Sequence, residues 1–328
     1  MSHTSGLTAR FVYVVHGHDD FHLQTRYSLL TLLHLLRHTP GLRANIHVYT
    51  DRPQWIPDHA LIVVHRLDAG QLRAWRGPLD YVHRIKLEVL RRAVREIGTP
   101  LVAVDGDTRW CALPWQALHA LNHPPPDARP AVFFHVFEES IGLDPRHGYS
   151  QLLNGHTALL RRLGVRSAGP WPSWNVGAIG VPAQAQGLFD HALSINDALL
   201  PLTALRRTVE QLALSLAADA AYDVRALDDG LTHYWNYGIE WPMRLRAWFA
   251  EQPPDQTTED LAAACASWQP AEVELLALRQ SAPYRRLLRR SRYRRSLRKR
   301  ITAMRAWWLR LRQGHAPAVG DHGEGEWR

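Results

Sequence analysis

Short apolar segments alternate with longer amphipathic ones from the N-terminus to about residue 220. Runs rich in β-branched and aromatic residues predict strands at 11–16, 44–50, 61–67, 101–105, 131–137 and 175–181. Apolar positions at helical spacing predict helices at about 21–38, 80–98, 113–121, 149–163, 184–200 and 204–218. This alternation of strands with helices predicts an α/β fold, with a mostly parallel sheet flanked by helices.

The character of the chain changes after residue 248. The stretch EQPPDQTTED is typical of a linker, and it is followed by the short helical segment LAAACASW and then by an Arg-rich region. The last residues, 314–328, have a composition typical of disorder. We therefore expect a main domain at 1–248, a linker with a short helical segment at 249–282, and a basic C-terminal region at 283–328.

Charge is distributed unevenly over the 328 residues, although the formal net charge is +8. Residues 279–313 contain fourteen Lys or Arg and no Asp or Glu, which leaves 25 basic and 31 acidic side chains elsewhere. The main domain is therefore mildly acidic, and the C-terminal region is strongly basic. Arginine supplies nearly all of the positive charge, because Lys86 and Lys299 are the only lysines in the sequence.

Targeting and cysteine features exclude several classes of protein. No stretch approaches the roughly 20 continuous apolar residues of a membrane span, and the N-terminus lacks the features of a signal peptide. Cys111 and Cys265 lie too far apart for a disulfide framework or a zinc motif. These features predict a cytoplasmic protein.

Two aspartates separated by one glycine, Asp105-Gly106-Asp107, follow the apolar run 101–104. Ligands of open α/β sheets gather at the carboxyl ends of the strands, and paired carboxylates there suit Mg²⁺ or Mn²⁺. Such an ion could neutralise a nucleotide diphosphate and assist its departure. The alternative is a solvated Asp-Gly turn, which these residues favour on backbone grounds.

Four motifs in order resemble the nucleotide-sugar glycosyltransferases of the GT-A fold, and among them glycosyltransferase family 8 and related bacterial proteins. They are HRIKLEVL followed by an apolar strand and DGDT, then WNVGAIGV (174–181), VEQLALSLAA (209–218) and LTHYW (231–235). The resemblance extends over about residues 10–240 and implies a GT-A-like fold. It also implies transfer of a sugar from a nucleotide diphosphate donor.

The resemblance assigns roles to particular residues. It implies that Asp105, Asp107 and His233 bind the metal, with Asp105 and Gly106 also near the donor, and that Lys86 contacts a phosphate or the aspartates. It also implies that Asn175 and Gly177 line the sugar pocket, and that Glu210 and Gln211 face the sugar. Each has a simpler interpretation: a core or surface histidine, a solvated lysine, a strand irregularity, or a glutamate favoured at a helix start.

Further residues are candidates for contacts with the donor or the acceptor. Tyr13 and His16, at the end of the first strand, are candidate nucleobase and ribose contacts, with core packing the favoured alternative for Tyr13. The segment after His233 lacks the Gly and Lys that commonly hold the diphosphate in family 8, so Arg84 is a further candidate for that contact. The resemblance favours retention, whereas an inverting enzyme would need a carboxylate base, for which Glu138 and Glu139 are candidates.

The Arg-rich stretch 284–312 carries an apolar stripe on one helical face, formed by Tyr293, Leu297, Ile301, Met304, Trp308 and Leu311. This pattern predicts attachment to an anionic membrane surface, at the inner face of the cytoplasmic membrane. Nucleic-acid binding is a competing interpretation, but the tryptophan pair favours a membrane or packing role. A solvated tail is the simplest alternative.

The leading hypothesis is a metal-dependent glycosyltransferase with a UDP-linked donor and Mn²⁺ or Mg²⁺, acting on a cell-surface glycan or a lipid-linked acceptor. A non-catalytic nucleotide-sugar-binding domain tethered to a membrane is the alternative. A haloacid-dehalogenase-like phosphatase is disfavoured, because Thr108 directly follows Asp107 whereas that motif places its Thr or Val one position later.

Overall fold

The computed structural model describes residues 6–227, 230–291 and 304. The strands are β1 Thr8–Val15, β2 Arg43–Thr50, β3 Ile62–Arg66, β4 Leu101–Val104, β5 Thr108–Trp110, β6 Ala131–Ile141, β7 Trp171–Val181, β8 Asp223–Ala226 and β9 Leu231–His233. The helices are α1 Asp19–Arg37, α2 Ala69–Trp75, α3 Arg84–Ile97, α4 Trp115–Asn122, α5 Gly148–Gly155, α6 Thr157–Arg162, α7 Gln186–Leu199, α8 Val209–Ala221, α9 Glu240–Ala250, α10 Thr258–Ser267 and α11 Glu272–Leu278.

A seven-stranded sheet with the order β3-β2-β1-β4-β7-β6-β8 is the centre of the fold. Strands β3, β2, β1 and β4 pair in parallel, β7 is antiparallel to both β4 and β6, and β8 is parallel to β6. Only β7 therefore runs against the other six. The predicted α/β class with a mostly parallel, helix-flanked sheet is confirmed.

Helices cover both faces of this sheet, and residues of β1 alternate between the two apolar cores. Phe11 and Tyr13 pack in the core that contains α1, α4, α9 and α10, whereas Val12 packs in the core that contains α3, α7 and α8. This alternation follows from the two-residue period of a strand. Because β1 and β4 pair in parallel, their carboxyl ends lie side by side at the same end of the sheet.

The observed elements differ from the predicted ones at turns and short strands. The predicted helix 80–98 begins only at Arg84, after Asp80 with a φ of 53°, and the predicted helix 149–163 is divided into α5 and α6. Strands β5, β8 and β9 were not predicted, since three or four residues carry too little periodicity. Of these, β5 and β9 pair as a separate antiparallel ribbon.

The segment 249–282, expected to be a linker with a short helical segment, is folded and contains α10 and α11. Leu261, Cys265 and Leu275 are buried in the same core as α1. The hydroxyl of Tyr27 on α1 donates to the backbone oxygen of Trp268 at 2.7 Å. Because α10 lies against α1, the main packed unit extends well beyond residue 248.

The C-terminal prediction falls mainly outside the described residues. Residues 282–291 are helical, and the exposed Met304 is assigned as helix, but 292–303 and 305–328 are not described. Among the described helices, none is both long enough and apolar enough to cross a membrane.

Leu261→Ala tests whether the segment after residue 248 belongs to the core. The side chain of Leu261 is 8% exposed, so its truncation should lower the free energy of unfolding by about 2–4 kcal/mol. Leu276→Ala is the matched control, because Leu276 is 41% exposed and should change stability by less than about 1 kcal/mol. Denaturant unfolding measures both; equal effects would contradict the packed arrangement.

Candidate functional site

The turn Asp105-Gly106-Asp107 connects β4 to β5 and rests directly on α1. A side chain at Gly106 would lie 2.1 Å from the hydroxyl oxygen of Thr25, so only glycine allows this close approach. The backbone amide of Asp105 donates to the oxygen of Gly177 at 2.8 Å. The turn is therefore held between α1 and β7.

A chain of buried hydroxyl groups supports the same turn from below. The Thr108 hydroxyl donates to the backbone oxygen of Asp105 at 2.8 Å. It receives a hydrogen bond from Ser28, which is bonded to Tyr13, and the Trp110 indole donates to the Tyr13 oxygen at 2.7 Å. Since each hydroxyl has one proton, these bonds run in one direction toward Asp105.

His233 reaches the aspartates through the β5–β9 ribbon. Thr108 pairs with His233 in this ribbon, and the amide of Tyr234 donates to the backbone oxygen of Asp107 at 2.8 Å. The Nε2 atom of His233 lies 3.2 Å from Oδ1 of Asp107. Candidate ligand atoms of Asp105, Asp107 and His233 all lie within 4.8 Å of one another, which confirms that these three predicted residues come together.

The other ring nitrogen of His233 faces Asn175. Nδ1 lies 3.2 Å from Oδ1 of Asn175, and the same oxygen accepts from the amide of Gly177 at 2.8 Å. Because a backbone amide can only donate, Oδ1 is an acceptor and Nδ1 of His233 carries the proton. Nε2 of a neutral ring would then direct a lone pair at a carboxylate, an arrangement that requires a proton or a metal ion there. This donor set fits a divalent cation.

Positively charged side chains lie beside the turn. The ammonium of Lys86 lies 2.5 Å from Oδ1 of Asp105 and donates to the backbone oxygen of Val176 at 2.6 Å. Burial opposes ionisation of Asp107, but the hydrogen bond and charge of His233, with the charge of Lys86, hold its pKa below its ordinary value.

Gly177 makes room for the imidazole. A Cβ at this position would lie 2.3 Å from both Cε1 and Nδ1 of His233. The predicted proximity of Gly177 to the site is thus observed, but its neighbour is the histidine ring.

Glu210 and Gln211, at the start of helix α8, have different partners. Gln211 donates from Nε2 to Glu138 at 2.6 Å, and Glu138 accepts from Asn175 at 2.8 Å with its other oxygen. Glu210 is buried, accepts from the Tyr81 hydroxyl, and lies 3.6 Å from Nδ1 of His83. Burial, followed by the charge of Glu210, raises the pKa of Tyr81.

The structure gives particular surroundings to three further residues that were predicted to contact the donor. Tyr13 is fully buried and hydrogen-bonded in the core, in agreement with the packing interpretation. Arg84 holds Asp197 with two bonds of 2.8 and 2.9 Å and Glu88 with another of 2.7 Å, so it ties α3 to α7. His16 follows β1, and burial lowers its pKa to about 4.

Sequence patterns did not identify several residues that shape the site. Tyr81 and His83 lay within a predicted helix, and Thr25 and Ser28 occupy an apolar-looking helix with no motif. His135, whose ring lies 5.4 Å from that of His233, occupies an ordinary strand position. Glu138 lies within β6, and the sequence pointed to it only as a candidate acceptor base together with Glu139.

No known family matches the sequence, and no curated protein matches it. The fold is similar to three solved glycosyltransferases. Mouse xyloside xylosyltransferase 1 in its apo form has a TM-score of 0.42 and 10% identity, covering 66% of this chain and 85% of that one. A glycosyltransferase involved in glycosylation of the major capsid of PBCV-1 has a TM-score of 0.37 and 8% identity, and the match covers 73% of this chain and 98% of that one. The glycosyltransferase GlyE of Streptococcus pneumoniae TIGR4 has a TM-score of 0.36 and 10% identity, and the match covers 82% of this chain and 62% of that one.

This chain therefore spans less than two thirds of the streptococcal protein. At these scores the likeness assigns neither an activity nor any residue of the site.

Gly177→Ala should weaken divalent-cation binding at least tenfold, because the new methyl group would displace the ring of His233. Gly187→Ala is the matched control: nothing lies within 4 Å of its added carbon, and it should leave cation affinity unchanged. Titration with Mn²⁺, followed by the paramagnetic resonance of the free ion, measures both. Equal affinity of the two variants would show that the ring is not a ligand.

Proposed function

We propose that this protein is a metal-dependent glycosyltransferase that uses a nucleotide diphosphate sugar. One observation carries the proposal: motifs far apart in the sequence, each part of the resemblance, meet in one site. Asp107 contacts His233, which contacts Asn175, while Glu138 links Asn175 to Gln211. Simple interpretations of each motif alone do not account for this convergence.

Asp105, Asp107 and His233 would hold the cation, with Mn²⁺ favoured over Mg²⁺ by the imidazole ligand. When bound, the cation would neutralise the diphosphate and stabilise it as a leaving group. The site lies beside the carboxyl end of β4, where open α/β sheets bind their ligands.

The chain's own residues supply the remaining functions. Lys86 provides a fixed positive charge beside Asp105, close to where a metal-bound diphosphate would lie. Gln211, whose Nε2 donates to Glu138, is suited to orienting a sugar hydroxyl with its amide. Glu210 is buried and accepts from the Tyr81 hydroxyl, and we assign it to shaping the pocket.

The finer assignments follow from the resemblance. We propose UDP as the nucleotide, a retained anomeric configuration, and a cell-surface glycan or lipid-linked acceptor. The basic amphipathic stretch 284–312 would attach the protein to an anionic membrane surface, where each basic residue contributes about 1 kcal/mol.

A thermal-shift panel of nucleotide sugars with and without Mn²⁺ tests the donor proposal. We expect UDP-linked sugars to raise the melting temperature by several degrees only when Mn²⁺ is present, because the cation joins the diphosphate to the aspartates. A donor that stabilises the protein equally without metal, or no stabilising donor at all, would contradict it.

Asp107→Asn separates an enzyme from a binding domain. It removes one anionic ligand while keeping the shape of the side chain, so Mn²⁺-dependent turnover should fall at least a hundredfold. The control is Asp223→Asn, an exposed carboxylate of β8 that forms an ion pair with Arg225, and this variant should retain activity. Unchanged function in Asp107→Asn would favour the non-catalytic alternative.

Flotation with liposomes tests the membrane proposal. Full-length protein should float with vesicles containing anionic lipid, and a 1–278 truncation should remain at the bottom, because the truncation removes the basic stretch. Attachment should weaken as salt is raised. Equal flotation of the two proteins would exclude this role for residues 284–312.

A further inference from the structure

The pairing of β6 with β7 is irregular beside the site. On β6, Phe137 pairs with Trp174 and Glu139 pairs with Ser173, so Glu138 is an extra residue between two consecutive pairs. A second irregularity follows between Phe134 and Val136, opposite residues 175–179. Irregularities of this kind re-aim side chains near functional sites. Here they fall at Glu138 and at Asn175.

The extra residue places an exposed carboxylate between two amide side chains. One oxygen of Glu138 accepts from Nδ2 of Asn175 at 2.8 Å, and the other accepts from Nε2 of Gln211 at 2.6 Å. An ionised carboxylate can only accept, so it fixes which end of each amide faces it. Glu138 therefore directs Oδ1 of Asn175 away from itself.

That oxygen is the partner of His233. It lies 3.2 Å from Nδ1 of the ring and also accepts from Gly177. If the amide were reversed, its NH₂ group would meet the amide of Gly177 and would favour the opposite tautomer of His233. The opposite tautomer would direct a proton, not a lone pair, toward Asp107.

We propose that Glu138 is a positioning residue that acts through Asn175 to set the tautomer and orientation of His233 for metal binding. The assignment rests on the proposed metal site and deepens it. It gives Glu138 a role distinct from an acceptor base, because both of its oxygens are engaged by amides. It also gives Asn175 the role of orienting the His233 ring, in place of the predicted contact with the sugar.

The first test measures the ring itself and needs no metal. Long-range ¹H–¹⁵N spectra at a pH where imidazole is neutral should show Nδ1 of His233 protonated in the wild type, with the signal assigned by its loss in His233→Gln. Glu138→Gln should convert this to a mixture of tautomers, because glutamine can present its own NH₂ group to Asn175. An unchanged ring spectrum would overturn the proposal.

The second test measures Mn²⁺ affinity by the resonance of the free ion. Glu138→Gln should bind about tenfold more weakly than the wild type. Gln211→Met keeps the charge of Glu138 but removes one of its two partners, so it should weaken binding in the same direction and by less. No change in Gln211→Met, with a loss in Glu138→Gln, would mean that Glu138 acts by charge alone.

A double variant isolates the route through Asn175. If Glu138 acts only through that amide, then Glu138→Gln combined with Asn175→Ala binds Mn²⁺ as weakly as Asn175→Ala alone. Additive losses would contradict the proposal. Asp223→Asn, with the same chemical change on the same sheet, should retain wild-type affinity, and circular dichroism confirms that each variant is folded.

The two hypotheses fail in different ways. If the wild type bound neither Mn²⁺ nor a nucleotide sugar, the proposed function would fall, whereas the ring spectra would still decide whether Glu138 orients His233.

Discussion

One imidazole between two oxygen acceptors is the constraint on which the site depends. Asn175 takes the single proton of the neutral His233 ring, and the other nitrogen faces the carboxylate of Asp107. Two acceptors cannot both be satisfied by a neutral histidine, so the arrangement requires a positive charge. The divalent cation that we propose beside Asp105 would supply that charge and would account for the second carboxylate.

Contacts far from the cation keep this geometry in place. Helix α1 carries Thr25 and Ser28 to the Asp-Gly-Asp turn, and the same helix carries Tyr27, whose hydroxyl donates to the backbone oxygen of Trp268 after α10. Helix α1 therefore connects the residues after 248 to the site. Tyr234 extends this connection, because its ring stacks on Trp241 at 4.0 Å while its amide holds Asp107.

Regular hydrophobic patterns predicted most of the strands and helices. The short strands and the irregular strand pairing could not be predicted from such patterns. The sheet and long helices follow from periodicities of two and 3.6 residues, and the resemblance implied that Asp105, Asp107 and His233 belong to one site. Strand β9, which delivers His233, has only three residues, so no period marks it. The extra residue at Glu138 and the packing of α10 depend on contacts between distant parts of the chain, which a single sequence does not encode as a local pattern.

Lys86 and Arg84 lie two residues apart on α3, and their contacts explain why one position has a lysine and the other an arginine. Arg84 holds the carboxylate of Asp197 with two parallel bonds, which needs the planar fork of a guanidinium. Lys86 instead fits a compact ammonium between Asp105 and the oxygen of Val176. The only lysine among the described residues is therefore located where one ammonium contacts both a carboxylate and a backbone oxygen, and the arginine joins two helices.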